Sequence, residues 1–187
     1  MQRKDFLKSC TMGVCSCFAI TALMPNNLKS QEKKDEVNPE VKKLQGQMEF
    51  VHKRFATLLG LLNTEMDDEE RVKMFEELGR TCSSEYKETY MKFENNLPGF
   101  LDEIRGKWVK EANYDKENQT IELIGTKSDD CFCPLAKKSI TPESFCECSK
   151  GWQKGVFEAI TGKKVKATVL ESVLRGGERC SFKIQMS

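Results

Sequence analysis

Residues 165–186 read VKATVLESVLRGGERCSFKIQM. Val165, Val169 and Val173 fall among polar neighbours, and Gly176-Gly177 supplies a turn. Cys180, Phe182, Ile184 and Met186 then alternate with Ser181, Lys183 and Gln185. A period of two on the far side of a glycine turn predicts a β-hairpin with one buried face. Upstream, Lys116-Glu117-Asn118 reads as a turn and Thr120 to Gly125 as a further strand.

The N-terminal half has a different period. Val41, Leu44, Met48, Val51, Phe55, Leu58 and Leu62 recur at alternating spacings of three and four, behind Pro39 at a helix start. Asp67 and Glu70 match an N-cap followed by a carboxylate three residues on. Val72, Phe75, Leu78, Cys82, Tyr86, Tyr90 and Phe93 continue the helical spacing, with Gly79 as a point of weakness or bending. A third helix opens near Pro98 and carries Phe100, Leu101, Ile104 and Trp108 inward. A shorter helix spans roughly Lys150 to Thr161, with Trp152, Val156, Phe157 and Ile160 as its apolar set, ended by Gly162. Gly151 and Gly155 on it are expected to permit close packing against the sheet. Helices first and strands mainly later predict an α+β fold, N-terminal helices packed on a C-terminal antiparallel sheet.

The 187 residues suit one domain, and a formal net charge of +1 supplies no field to attract nucleic acid or an acidic membrane surface. Residues 1–28 read as an export signal. Arg3 and Lys4 open it, and the stretch from Gln2 to Lys8 resembles a twin-arginine signal with Lys4 in place of the second arginine. An apolar run from Met12 to Met24 follows. An exported, periplasmic location is therefore expected. The alternatives are an N-terminal membrane anchor or a lipoprotein using Cys15 or Cys17. Residues 29–38 form a charged linker, and residues 39–187 a single cysteine-rich domain.

Nine cysteines are many for this length. Three lie in the signal. The chemistry centres on two Cys-x-Cys pairs twelve residues apart, Cys131/Cys133 and Cys146/Cys148. Four thiolates suit tetrahedral zinc or an iron–sulfur cluster. Residues i and i+2 of a helix point about 200° apart, so a shared metal requires Cys146 and Cys148 to precede the helix, with Ser149 as N-cap. The helix N-terminus would then lower their pKa. Lys137, Lys138, Lys150 and Lys154 would offset the thiolate charge, and Asp129 and Asp130 would oppose it. The six cysteines outside the signal also allow disulfides, or a reactive thiol. Cys82 and Cys180 sit on apolar faces and are second-tier members of the site. His52, the one histidine, reads as an ordinary helix-flank residue, and Asp67-Asp68-Glu69-Glu70 as a helix first turn. Trp108 and Trp152 read as core.

Residues 145–152, FCECSKGW, and 171–184, ESVLRGGERCSFKI, carry a family resemblance. The closing pattern of Glu-Ser, Gly and Cys-x-Phe-x-Ile resembles the end of 4-vinyl-reductase-type domains, and is similar to L-2-amino-thiazoline-4-carboxylate hydrolase-like proteins. Gly79-Arg80-Thr81-Cys82 resembles a Gly-Arg-x-Cys element of bacterial relatives. The first resemblance implies a small-molecule-binding α+β fold, sometimes with a metal. The second implies a hydrolase of a cyclic C–N/C–S compound. The combined expectation is an exported small-molecule-binding or redox-responsive domain with a thiolate metal site. Its alternatives are a cysteine hydrolase and a disulfide-stabilised structural domain.

Overall fold

The computed structural model describes residues 38–187. The expected signal, residues 1–28, and all of the expected linker but Asn38 lie outside the described residues.

Helix α1 spans Pro39–Glu65, with Pro39 in its first turn and the Asn38 side chain accepting from the Glu40 amide. Helix α2 spans Asp68–Glu85, and Asp67 caps it by accepting from the Glu70 amide, as its sequence predicts. The expected continuation to Phe93 is broken instead. A short α3, Lys87–Tyr90, follows beyond Tyr86, which caps both helices, and Met91–Phe93 is a 3-10 turn. The buried Tyr90 hydroxyl donates to the Ser83 carbonyl, fixing this corner. Helix α4 spans Leu97–Ile104 behind an Asn96 cap, and Trp108 lies beyond its end rather than on it.

Strands β1 (Val109–Asp115), β2 (Thr120–Gly125), β3 (Val165–Glu171) and β4 (Ser181–Met186) form an antiparallel sheet in the order β1-β2-β4-β3. The α+β class and the C-terminal hairpin are as the sequence predicts. Strand β1 was not legible, because a bulge between Val109 and Glu111 interrupts its alternation. Its turn to β2 is held by Asp115, which accepts from the amides of Glu117 and Asn118. Helix α5, Cys146–Thr161, crosses from β2 to β3 and ends at Gly162 in the left-handed region, φ 67°. It lays Val156, Phe157 and Ile160 on the inner sheet face against Ile121, Leu123, Phe182 and Ile184, with Phe100, Leu101 and Ile104 of α4 completing that core.

The opposite side of α5 packs on α2, and there glycine decides the geometry. A Cβ on Gly79 would strike the Cys148 carbonyl and the Trp152 amide, and one on Gly151 would strike the Glu76 backbone. Gly155 faces the Ser83 side chain in the same way. Gly151 and Gly155 therefore admit α2, not the sheet, and Gly79 is a contact point within an unbroken helix rather than a bend. Ion pairs flank the crossing. Arg80 donates to both carboxylate oxygens of Glu158, at 2.5 and 3.1 Å. Lys150 lies 3.0 Å from Glu76, and Lys154 pairs with the other oxygen of that carboxylate.

Helix α1 departs from expectation most. Its apolar stripe of Val41, Leu44, Met48, Val51 and Leu58 is exposed, and its buried residues are Leu59 and His52. Only Phe55 and Leu62 of the stripe pack on the body, against the cluster of Leu59, Phe75, Ala136 and Phe145.

Gly151→Ala should lose at least ~2 kcal/mol of stability, because the new methyl meets helix backbone that cannot rotate aside. Gly46→Ala and Gly60→Ala, whose Cβ positions are open, should instead gain up to ~1 kcal/mol each. Denaturant melts of the three variants check this. The Arg80 hydrogen bonds lower the Glu158 pKa below its ordinary 4.5, against burial. Its contribution is present above pH 4.5 and lost as pH falls further. Glu158→Gln should flatten that acid limb in stability–pH curves.

Candidate functional site

The first Cys-x-Cys pair sits in the loop between β2 and α5, and one carboxylate shapes that loop. Asp130 Oδ1 accepts from the Cys131 amide at 2.9 Å and from the Lys138 amide at 2.7 Å. Burial works to raise the Asp130 pKa, and these two donors outweigh it and hold it below the ordinary carboxylate value. Inside the ring, the Ala136 amide donates to the Cys133 carbonyl at 3.0 Å, and Lys137 N donates to Thr141 Oγ1 at 2.9 Å. His52 Nε2 donates to the Pro134 carbonyl at 2.7 Å, and its other ring nitrogen is buried without a partner. His52 is thus a buried support of the cysteine loop rather than a flank residue.

The second pair overturns the entry-loop expectation. Glu143–Phe145 forms a 3-10 turn behind Pro142 that runs straight into α5 at Cys146. Ser149 is inside the helix and caps nothing. The helix start is held by packing instead of a capping side chain. The buried Phe145 ring meets Phe55 and Phe75 edge-on, with centroids 5.1 and 5.7 Å away. Cys146 and Cys148 consequently leave the first turn in different directions.

Cys146 is buried and lies 2.8 Å from Ser172 Oγ, at the start of the β3–β4 connection that also carries Cys180. Cys148 turns the other way. It packs with Cys131 and Cys133 on the apolar cluster of Leu59, Phe75, Ala136 and Phe145. Its carbonyl lies under Gly79 of α2, one turn before Cys82. The thiols of Cys82, Cys131 and Cys133 all stand near enough to oppose Cys148 ionisation. Cys180, Cys133 and Cys146 in turn stand near enough to oppose Cys131 ionisation. The six cysteines singled out in the sequence therefore form two neighbouring groups that meet at Cys131, and all six are free thiols. Among the described residues, no three His, Cys, Asp or Glu side chains stand in a ready metal-binding arrangement.

The helix N-terminus does not set the ionisation of these groups. Burial pushes Cys131 up to about 11 and Cys148 up to about 12. Burial also raises Cys146, in spite of the Ser172 hydroxyl and the Arg175 charge, and it raises Cys82. These directions are opposite to those of an activated nucleophile. Two of the four lysines expected to offset thiolate charge are otherwise engaged, since Lys150 joins Glu76 and Glu147, and Lys154 joins Glu76. Sequence reasoning missed Ser172 as a part of the site, and read Asp130 as a charge opposing the thiolates rather than as the acceptor that shapes their loop.

A separate open depression lies on the solvent face of the sheet, lined by Asn113, Tyr114, Thr120, Glu122 and Lys183. It is open to solvent, and Ala112 and Leu170 add apolar surface to its lining.

No protein-family model matches the chain, and no curated protein matches it. A solved structure of a trafficking protein particle complex subunit 3 from Naegleria fowleri, covalently bound to palmitic acid, is similar in fold. It is 11% identical, and the match covers 76% of this chain and 96% of that one with a TM-score of 0.50. A vinyl-4-reductase family protein from Methanocaldococcus jannaschii matches 83% of this chain and 85% of its own, at 12% identity and a TM-score of 0.35. The first likeness establishes the fold.

A thiol with a folded pKa above its ordinary 9.0 stabilises the fold below pH 9, and that contribution is lost as pH rises through the folded value. Stability should therefore fall between pH 9 and about 12. Thiolate absorbance in the folded protein should lag that of the denatured chain over the same range, and the lag should shrink in Cys148→Ser.

Proposed function

We propose that this chain is an exported small-molecule-binding domain whose cysteines take a soft metal, zinc or an iron–sulfur centre, and so answer to metal and redox state. The observation that carries this reading is the convergence of Cys82, Cys131, Cys133 and Cys148 between α2, the Asp130 loop and the first turn of α5, in an apolar setting. Burial and the nearness of other thiols keep Cys82, Cys131 and Cys148 protonated. A cation among them reverses that balance, because a coordinating thiol is deprotonated outright. Soft sulfur donors select thiophilic metals over magnesium or calcium.

The chain's own residues have defined parts in such a site. Asp130 and His52 hold the Cys131/Cys133 loop in place, and Gly79 lets α2 bring Cys82 beside Cys148. Cys146 and Ser172 lie on the other side of the helix turn, as a neighbour of the site rather than a ligand. The palmitic acid held by the Naegleria fowleri subunit supports a small molecule as the further ligand. The twin-arginine-like stretch supports export after folding, from a compartment where thiols are reduced and a metal can be loaded.

Elemental analysis of protein purified without oxygen tests the proposal. About one zinc, or iron and sulfide in cluster ratio, should accompany each chain. Cys148→Ser should lose it and Cys146→Ser should keep it. Metal-free protein that neither binds added Zn²⁺ nor releases protons on its addition would show the reading to be wrong.

A further inference from the structure

Every residue of α1 from Pro39 to Val51 is exposed. That half of the helix has no support from the body, and it contains Gly46 and two valines. Isolated helices shorter than ~12–15 residues are marginal in water, and an interior glycine costs about 1 kcal/mol more. Its exposed stripe is also not random. Val41, Leu44, Met48, Val51, Phe55, Leu58 and Leu62 keep a strict three–four alternation, the a/d seam of a coiled coil. Val41 is 43% exposed, Leu44 55%, Met48 43%, Val51 41% and Leu58 50%. The body covers only the far end of the seam, at Phe55 and Leu62.

We infer that this seam is closed by α1 of a second copy of the chain, running antiparallel about a two-fold axis between Met48 and Val51. One register satisfies the whole exposed stripe. In it Met48 faces Val51, Leu44 faces Phe55, and Val41 faces Leu58 of the other copy, and each pair occurs twice, as an isologous interface requires. The flanking positions agree. The same register sets Gln47 beside Arg54 and Glu40 beside Leu61, with no like charges opposed, while His52 is turned to its own body. Lys42, Lys43, Glu49 and Lys53 point away from the seam. A parallel pair would bring both domain bodies to one end of the helices, whereas the antiparallel pair places them at opposite ends. The seam is independent of the thiol site, so its test does not depend on metal content.

Sedimentation of the full chain tests the inference. Wild type should run at twice the 21.4 kDa chain mass. Met48→Glu and Val51→Lys, both at exposed positions, should each run as monomers with unchanged near-ultraviolet circular dichroism. An equimolar mixture of the two should recover the dimer, because the register sets position 48 of one chain against position 51 of the other. Monomeric wild type, dimeric single variants, or a mixture that stays monomeric would each overturn it. A photo-crosslinker at position 48, in mixed isotopically light and heavy full chains, supplies a readout that does not rely on those variants. Light–heavy links to the α1 peptide support the pairing. Links within one chain to residues 1–37 mean that the chain's own N-terminus covers the seam, and overturn it.

Discussion

The contact between α2 and α5 is the constraint on which the rest of the structure depends. Gly79 lies over the Cys148 carbonyl and Gly151 over the Glu76 carbonyl, three residues apart on each helix, so the two backbones meet in a near-reciprocal pair of close approaches. Such an approach permits Cα–H···O contacts that any side chain would prevent. It also fixes what stands on either side. The sheet receives the apolar face of α5, the Glu76 and Glu158 ion pairs close around the edges, and Cys82 arrives beside Cys148 as a by-product of the crossing.

The cysteine cluster shows which of two opposed effects prevails. A helix N-terminus favours anionic sulfur by a fraction of a unit charge acting over one turn. Removal of the thiols from water, together with the nearness of other thiols, acts against the anion. Here the second effect dominates at Cys131, Cys146 and Cys148. An ionised Cys131 would add to the burial that already opposes ionisation of Cys148.

The sequence was legible wherever local periodicity and burial agreed. The hairpin of β3 and β4, the Asp67 cap, the Asn118 turn and the Gly162 stop all follow local chemistry, and all are present. Legibility failed where tertiary contact outranked a local signal. Ser149 is a good cap residue, yet the Phe145 ring packed against Phe55 and Phe75 starts the helix one turn sooner. Gly151 and Gly155 announced close packing but not its partner. His52 carried no sign that a carbonyl eighty-two residues away would accept from it. The candidate site was readable as a set of cysteines, and its division into two groups was not, because that division rests on where α5 begins.

The Asp130 ring has a consequence for how the cysteine loop behaves as a length of chain. One oxygen atom joins the amides of Cys131 and Lys138, so the segment between them is a short closed circuit rather than an open connection. Ordering each of those residues costs about 1–2 kcal/mol of backbone entropy, a cost met jointly by the Asp130 acceptor, the His52 bond to the Pro134 carbonyl and the packing of Ala136, Cys131 and Cys133 on the apolar cluster. Cys131 and Cys133 therefore share one fate. They are held in position together, within one closed stretch of chain.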